Sequence, residues 1–123
     1  MTSPRMHHAA AVLEGMIYVT GGRRPGADTV YATVESYDPG CRTWTVCRAM
    51  QMPRPRAGHA VATMDGQLFV LGGHHRRCSG LSSERSVERL NLAASSWEAL
   101  EPMTDVRASF FAGFVTLGPA AVP

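Results

Sequence analysis

Residues 54–73 read "RPRAGHAVATMDGQLFVLGG", and residues 3–22 have already read "SPRMHHAAAVLEGMIYVTGG". An arginine, a histidine, a single glycine and a glycine pair recur at matching places, so that Arg5 and Arg56 lie 51 positions apart. Further along, the step becomes 53, as Trp44 and Trp97 show. Markers that keep one order over about 100 residues indicate an internal repeat of one supersecondary unit.

Each copy of the repeat predicts four short β-strands. The first strands, "HAAAVL" and "HAVATM", precede Glu14-Gly15 and Asp65-Gly66, which are typical of two-residue hairpin turns because both turn positions favour positive φ. The second strands, "MIYVT" and "QLFVL", end at a glycine pair. The third strands are "TVESYD" and "SVERLN", and the fourth are "TWTVCRAM" and "SWEALEPM". Because no helical periodicity is present, the predicted fold class is all-β.

A sheet of about 50 residues that is apolar on both faces cannot bury itself alone, which favours stacked four-stranded antiparallel sheets in a β-propeller. The ordered markers, including "IYVTGG", "VESYDP" and the tryptophans, resemble kelch repeats. Their spacing is similar to that of the propeller in kelch-like (BTB-kelch) substrate adaptors. The second copy departs mildly, since Leu90-Asn91 stand where the first copy has Tyr37-Asp38.

The repeat divides the chain into four predicted parts: kelch blade 1 at 1–54, kelch blade 2 at 55–106, the start of a truncated third blade at 107–117, and a non-repeat tail at 118–123. The third copy opens with Arg107 but has Phe110 where His8 and His59 stand. The chain is therefore interpreted as a partial β-propeller.

A propeller that does not close leaves open blade edges. We expect the end faces, lined by residues such as Ile17, Val19, Leu68 and Val70, to be partly bare and the open edges to self-associate.

Composition excludes several classes of function. Net charge is +2 with 12 Lys and Arg scattered along the chain, which does not favour nucleic-acid binding. No apolar run approaches the roughly 20 residues that cross a bilayer, and the start lacks a signal peptide, so we expect no membrane partner and a cytoplasmic location. Cys41, Cys47 and Cys78 are an odd number without C-x-x-C spacing, which favours reduced thiols.

Positions that recur in both copies serve a need common to every blade, so we interpret them as structural. A desolvated arginine requires a partner, which predicts an Arg–Glu contact within or between blades. The structural positions are Arg5, His8, Gly21, Gly22, Glu35 and Trp44 in the first copy and Arg56, His59, Gly72, Gly73, Glu88 and Trp97 in the second.

Positions that differ between copies are candidates for recognition, because loops on a rigid scaffold carry function. The loops at 23–32 and 74–86 differ most, followed by the segment 51–55. The resemblance implies that such loops hold peptide segments of a partner. His7, Gly58 and Ser109 stand where some family members place arginines that bind acidic peptides, so that chemistry is not carried over.

Basic loop residues could bind carboxylate or phosphate groups instead. The candidate partner-binding residues are Arg23, Arg24, His74, Arg76, Arg77, His7 and Ser109. His74-His75 beside Cys78 lacks the second ligand pair that zinc requires, so we expect no metal site. We also expect no cofactor.

The resemblance implies a non-enzymatic protein–protein interaction module, most closely the substrate-recognition part of an adaptor for a cullin-type ubiquitin ligase. An actin- or cytoskeleton-binding kelch protein is the alternative, and a piece of a kelch-type propeller enzyme is a remote one. The three tyrosines and three cysteines show no arrangement for copper radical chemistry, and no catalytic motif is present, so no catalytic residue is assigned.

Overall fold

The computed structural model describes residues 1–77, 80–83 and 85–104. Two antiparallel four-stranded sheets account for most of this part of the chain, and they fall within the intervals 1–54 and 55–106. The predicted third blade at 107–117 and the tail at 118–123 lie outside the described residues.

Blade 1 contains β1 (Ala9–Leu13), β2 (Met16–Thr20), β3 (Val34–Asp38) and β4 (Thr43–Val46), hydrogen-bonded in that order. The β1–β2 hairpin closes as predicted, because Glu14 and Gly15 have φ of 52° and 75°. Two consecutive positive φ angles define the turn whose twist matches that of the flanking strands.

Blade 2 contains β5 (Ala60–Met64), β6 (Gln67–Leu71), β9 (Val87–Asn91) and β10 (Ser96–Ala99), in the spatial order β5-β6-β9-β10. Asp65 and Gly66, with φ of 50° and 72°, form the same turn as in blade 1. The predicted all-β class, with four-stranded antiparallel sheets of a partial propeller, is confirmed.

The fourth strands are shorter than the sequence predicted. β4 ends at Val46, and Arg48–Met50 form a short 3-10 turn in which Met50 N–H donates to the Cys47 carbonyl at 3.0 Å. In blade 2 the prediction of strand through Met103 was also wrong, since β10 ends at Ala99. Pro102 has no N–H with which to continue a ladder.

The predicted loop at 74–86 contains a further hairpin. β7 (His74–Arg77) pairs antiparallel with β8 (Gly80–Ser83), and the register places His74 opposite Ser83 and Arg77 opposite Gly80. No alternating apolar pattern marks these residues, so the sequence predicted them only as a loop and did not reveal the hairpin. This ribbon has no counterpart among the strands of blade 1. The β6–β9 connection of blade 2 therefore differs in structure from the β2–β3 connection of blade 1.

The core lies between the two sheets. Leu13, Tyr18 and Val34 of blade 1 pack with Leu68 and other apolar residues of blade 2. The remaining buried members of this cluster are Met52, Val61, Val70 and Leu90. Full burial of one such side chain contributes about 1.5–3 kcal/mol, so this interface holds the two blades together.

The predicted bare faces need correction. Leu68 and Val70 are fully buried, because strand alternation directs them toward blade 1, and Val19 is buried as well. Ile17 is half-buried. The exposed large apolar residues of the described chain are Met1 (44%), Val12 (63%) on the outer side of blade 1 and Met64 (43%) on blade 2.

The tryptophans occupy equivalent strand positions but have different contacts. Trp97 packs against the inter-blade core, and its indole N–H donates to the Met50 carbonyl at 3.0 Å. Trp44 lies beside Tyr37 with ring centroids 5.0 Å apart. Trp97 therefore connects blade 2 to the segment that leaves blade 1, a contact that the repeat alone does not reveal.

Candidate functional site

A buried arginine connects the strand ends of each blade. In blade 1, Arg5 Nη2 lies 2.9 Å from Glu35 Oε2, and Nη1 donates to the Gly21 carbonyl at 2.7 Å. In blade 2, Arg56 Nη2 lies 2.8 Å from Glu88 Oε1, and Nη1 donates to the Gly72 carbonyl at 2.8 Å. The Arg–Glu contact that the repeat predicts is thus present within each blade.

The charge on Glu35 is stabilised by its neighbours. Burial raises the pKa of this carboxyl, but hydrogen bonds from Thr2 and the Arg5 guanidinium more than offset burial, so the pKa lies below its usual range. Glu35 accepts from both the backbone N–H and the hydroxyl of Thr2 at 2.7 Å. Arg5 also lies over the Tyr31 ring, 4.8 Å from its centroid. These contacts hold the segment before β1 against β3 and against the connection that follows β2.

The glycine pair after β2 permits close approach of the second blade. Gly21 and Gly22 have φ of 59° and 92°. A Cβ on Gly21 would lie 2.3 Å from the Arg56 carbonyl oxygen, which accepts the Gly22 N–H at 2.7 Å. In blade 2, a Cβ on Gly73 would lie 2.7 Å from the Cβ of His59. The glycines are therefore required by backbone geometry and by packing.

His59 forms a polar contact between the blades. Its Nε2 lies 2.7 Å from the Thr20 hydroxyl, and its side chain is buried. Burial, followed by the positive charge of Arg56, lowers the pKa of His59 to about 3. His8, the equivalent residue of blade 1, is exposed, since the described residues include no sheet that supplies it with a counterpart of Thr20.

The neutral state of His59 predicts acid sensitivity. The unfolded chain takes up a proton at this residue near pH 6.5, whereas the folded chain does so only near pH 3. The unfolded state thus binds more protons between these values, and stability falls as the pH falls. Between pH 7.5 and 5.5, we expect His59 alone to contribute a loss of about 1.4 kcal/mol.

Urea unfolding at the two pH values tests this expectation. The difference in the free energy of unfolding between the two pH values should be smaller by that amount in His59→Asn. The matched variant His8→Asn should retain the full difference. An unchanged acid sensitivity in His59→Asn would contradict the assigned environment.

Three of the predicted partner-binding residues meet at one end of the blades, where the β2–β3 and β6–β9 connections lie. Met6 and Arg23 exchange backbone hydrogen bonds of 2.9 and 2.8 Å, and Ala57 and His74 exchange two of 2.9 Å. The His7 carbonyl accepts the Gly58 N–H at 2.8 Å and joins the two units. We call the surface formed by His7, Arg23 and His74 the loop face.

The loop face carries one permanent cation, Arg23, beside the imidazoles of His7 and His74. Partial burial, together with the neighbouring His7, Arg23 and His75, lowers the pKa of His74. Arg23 is half-buried, and its Nε is a buried donor without a hydrogen-bond partner among the described residues. His7 is exposed and has φ of 56°. The arrangement combines one permanent cation with imidazoles that can donate hydrogen bonds, which suits an anionic group.

Arg24 lies outside this cluster. Arg24 is exposed on a tight turn closed by hydrogen bonds from its N–H to Thr29 and from Ala27 to its carbonyl. Arg76 and Arg77 lie on β7. Ser109 lies outside the described residues.

Thr20 and Tyr31 take part in these contacts but were not predicted from the sequence. Thr20 was overlooked because its counterpart in the repeat is Leu71, so it did not recur. No sequence signal pointed to Tyr31.

Among the residues that the structure describes, no group of three or more His, Cys, Asp or Glu side chains is placed to hold a metal ion. The same residues include no helix of a length and apolarity that would cross a membrane.

The repeat, the stacked four-stranded sheets and the Arg–Glu pairs define a known class of protein. A family model described as "Kelch motif" matches residues 4–51 and again 55–104. The chain belongs to the kelch-repeat family. Kelch repeats are typical of protein-interaction modules.

The chain is similar to parts of longer proteins. It is 38% identical over 74 residues to Kelch-like ECH-associated protein 1B of Danio rerio, covering 58% of this chain and 12% of that protein. It is 42% identical over 73 residues to beta-scruin of Limulus polyphemus, covering 59% and 8%. With Kelch domain-containing protein 8B of Rattus norvegicus it shares 30% over 138 residues, covering 98% and 38%. The chain thus spans well under half the length of these relatives.

A solved structure supports the fold. The chain is similar to the protein in "Structure of YjhT" with a TM-score of 0.71 and 21% identity, over 88% of this chain and 30% of that chain. At this identity the likeness concerns the fold alone.

Proposed function

We propose that this chain is a non-enzymatic protein-interaction module that binds a partner through the loop face. The observation that carries the proposal is the meeting of His7, Arg23 and His74 above two blades whose buried framework is nearly identical. The framework recurs because every blade requires it, whereas the connections at 23–32 and 74–86 differ in length and in structure. Sequence differences between blades are therefore concentrated where a partner could be recognised.

The chemistry of the loop face favours a partner segment that carries carboxylate or phosphate groups. Arg23 stays charged at any physiological pH, and its guanidinium can bind either group with two parallel hydrogen bonds. Its buried Nε donor supports this assignment, because buried donors in folded proteins are ordinarily satisfied. The neighbouring imidazoles add donors on the same surface.

We further propose that the parent protein is a cytoplasmic adaptor that presents substrates to a cullin-type ubiquitin ligase. The repeat spacing resembles that of kelch-like adaptors, and the similarity to Kelch-like ECH-associated protein 1B agrees with this assignment. Binding of actin is the alternative, and the comparable identity to beta-scruin keeps it open. A protein partner, rather than a nucleic acid or a membrane, is proposed in both cases.

Peptide binding tests the loop face. The chain should select carboxylate-rich or phosphorylated peptides from an array. Arg23→Ala should lower the affinity for the selected peptides at least tenfold, as measured by fluorescence anisotropy. The reason is that a charge-assisted hydrogen bond contributes about 1.5–3 kcal/mol. Arg42→Ala is the matched control, because Arg42 is an exposed arginine in the β3–β4 turn at the opposite end of blade 1. Equal affinity of Arg23→Ala and the unaltered chain would contradict the proposal.

A second assay separates the two partner classes. Co-sedimentation of the parent protein with filamentous actin supports the cytoskeletal alternative, and co-purification with a cullin supports the adaptor.

A further inference from the structure

All five histidines of the chain lie at one junction between the two blades. The His7 carbonyl accepts the N–H of Gly58, the residue before His59, at 2.8 Å. Ala57 and His74 exchange two hydrogen bonds of 2.9 Å. Imidazoles from segments that are far apart in sequence are thus gathered at one end of the blades.

Glycines allow the histidine before each first strand to lie beside the connection that leaves the second strand. A Cβ on Gly22 would lie 2.9 Å from the Cβ of His8, and a Cβ on Gly73 would lie 2.7 Å from the Cβ of His59. Each of these glycines directly precedes the connection that supplies the other bases. Close packing therefore holds the bases near one another, so that charge on one of them affects the next.

His74 shows this electrostatic coupling. Partial burial lowers its pKa below the ordinary value, and the neighbouring His7, Arg23 and His75 lower it further. In the free protein, each base thus makes protonation of the next less favourable. His59 does not contribute to the titration near neutral pH, because burial is the largest of the effects that lower its pKa to about 3.

The carboxylates packed against this junction already have cationic partners. Glu35 pairs with Arg5 at 2.9 Å, and Glu88 pairs with Arg56 at 2.8 Å. Both pairs are buried. The other charged residues of the neighbouring segments are Arg24, Asp28 and Arg54, which are exposed, and Arg76 and Arg77 of β7. Among the described residues, bases therefore predominate around His74.

We infer, in a step that rests on the function proposed above, that the loop face is a histidine-switched anion site, which binds an acidic peptide more tightly as the pH falls from about 8 to about 6. An anion placed beside His7 and His74 stabilises their protonated forms, so its binding draws protons onto the site. Linkage is reciprocal, so protons raise the affinity for the anion by the same factor. Arg23 supplies the charge that does not change with pH.

Peptide binding at several pH values tests the switch. A rhodamine-labelled oligoglutamate peptide is titrated with the full chain at pH 8, 7 and 6 and at constant ionic strength, with fluorescence anisotropy as the readout. The affinity should rise at least about fivefold from pH 8 to pH 6, because each coupled imidazole adds up to about tenfold per pH unit. The glutamate side chains, whose pKa is ordinarily about 4.3, remain charged throughout.

Two variants locate the protons. His7→Asn combined with His74→Gln should reduce the rise in affinity to less than about twofold, because the coupled imidazoles are removed. Asparagine tolerates the positive φ of 56° at residue 7. Arg42→His is the matched control, because it places an imidazole in the β3–β4 turn at the opposite end of blade 1, and it should keep the full rise.

The outcomes separate the switch from the proposed function. Binding that depends on Arg23 but stays constant with pH would overturn the switch and leave the proposed function in place. A rise that persists in full in the double variant would overturn the switch too, because other groups would then take up the protons. Absence of binding at every pH would contradict the proposed function and the switch with it.

Imidazole NMR measures the coupling without any peptide. The titration midpoint of His74 should lie below the ordinary 6.5 and should rise in Arg23→Gln, because one of the cations that lower it is removed. Arg42→Gln is the matched control and should leave the midpoint in place. A midpoint at 6.5 or above, or one that does not move in Arg23→Gln, would overturn the proposal.

Discussion

Replacing Arg56 with alanine should reduce the free energy of unfolding by about 3–5 kcal/mol, the range found when one partner of a buried ion pair is removed. The Arg56 side chain is fully buried, and it binds Glu88, the Gly72 carbonyl and the Ser86 hydroxyl. Its removal leaves the Glu88 carboxylate with Arg54, whose Nε lies 3.9 Å away on a half-exposed side chain. Urea denaturation at pH 7 measures the loss.

Two further variants test whether the uncompensated buried charge causes the loss of stability in Arg56→Ala. Arg42→Ala, on an exposed turn, should change stability by less than about 0.5 kcal/mol. Arg56→Ala combined with Glu88→Ala should lose less than the sum of the two single substitutions, because no uncompensated carboxylate remains. A loss below 1 kcal/mol in Arg56→Ala would show that the pair does not organise the blade.

Gly21→Ala should be comparably damaging for a different reason. The left-handed φ of 59° costs an alanine about 1–2 kcal/mol. The new Cβ would also lie 2.3 Å from the Arg56 carbonyl oxygen and 2.8 Å from His59 Cε1, so blade 2 would have to move. Overpacking of this kind costs a further 1–3 kcal/mol or so. Thermal or urea unfolding of the variant measures the sum.

Gly26→Ala separates the two effects. Gly26 has φ of 73°, but a Cβ there would meet no atom within 4 Å, so only the conformational cost of about 1–2 kcal/mol applies. Equal losses in Gly21→Ala and Gly26→Ala would mean that the blades do not approach each other closely at Gly21.

Local chemistry explains what the sequence could predict. Glu14-Gly15 and Asp65-Gly66 set their turns through their own backbone preferences, so the hairpins follow from the residues themselves. The Arg–Glu pairs recur in both copies and must satisfy each other once buried, which made the contact predictable. The repeat predicted the remaining strands of each sheet, because two copies of one sequence pattern adopt the same fold.

Tertiary contacts explain what the sequence could not predict. Ile17 and Leu68 occupy equivalent positions, yet only Leu68 is fully buried, because it faces a neighbouring blade. The β7–β8 ribbon lacks an alternating apolar pattern and continues from the backbone bridge between Ala57 and His74. The loop face likewise depends on backbone bridges between segments that are far apart in sequence.

The exchange rate of the Gly22 amide tests most directly whether the two repeats form one packed unit. This N–H donates to the Arg56 carbonyl across the blade interface at 2.7 Å. If the blades pack as described, it should exchange only through global unfolding, with a free energy equal to that from urea denaturation. Exchange at the rate of an exposed amide, while the β1–β2 ladder stays protected, would show that the blades are not joined and would contradict the account.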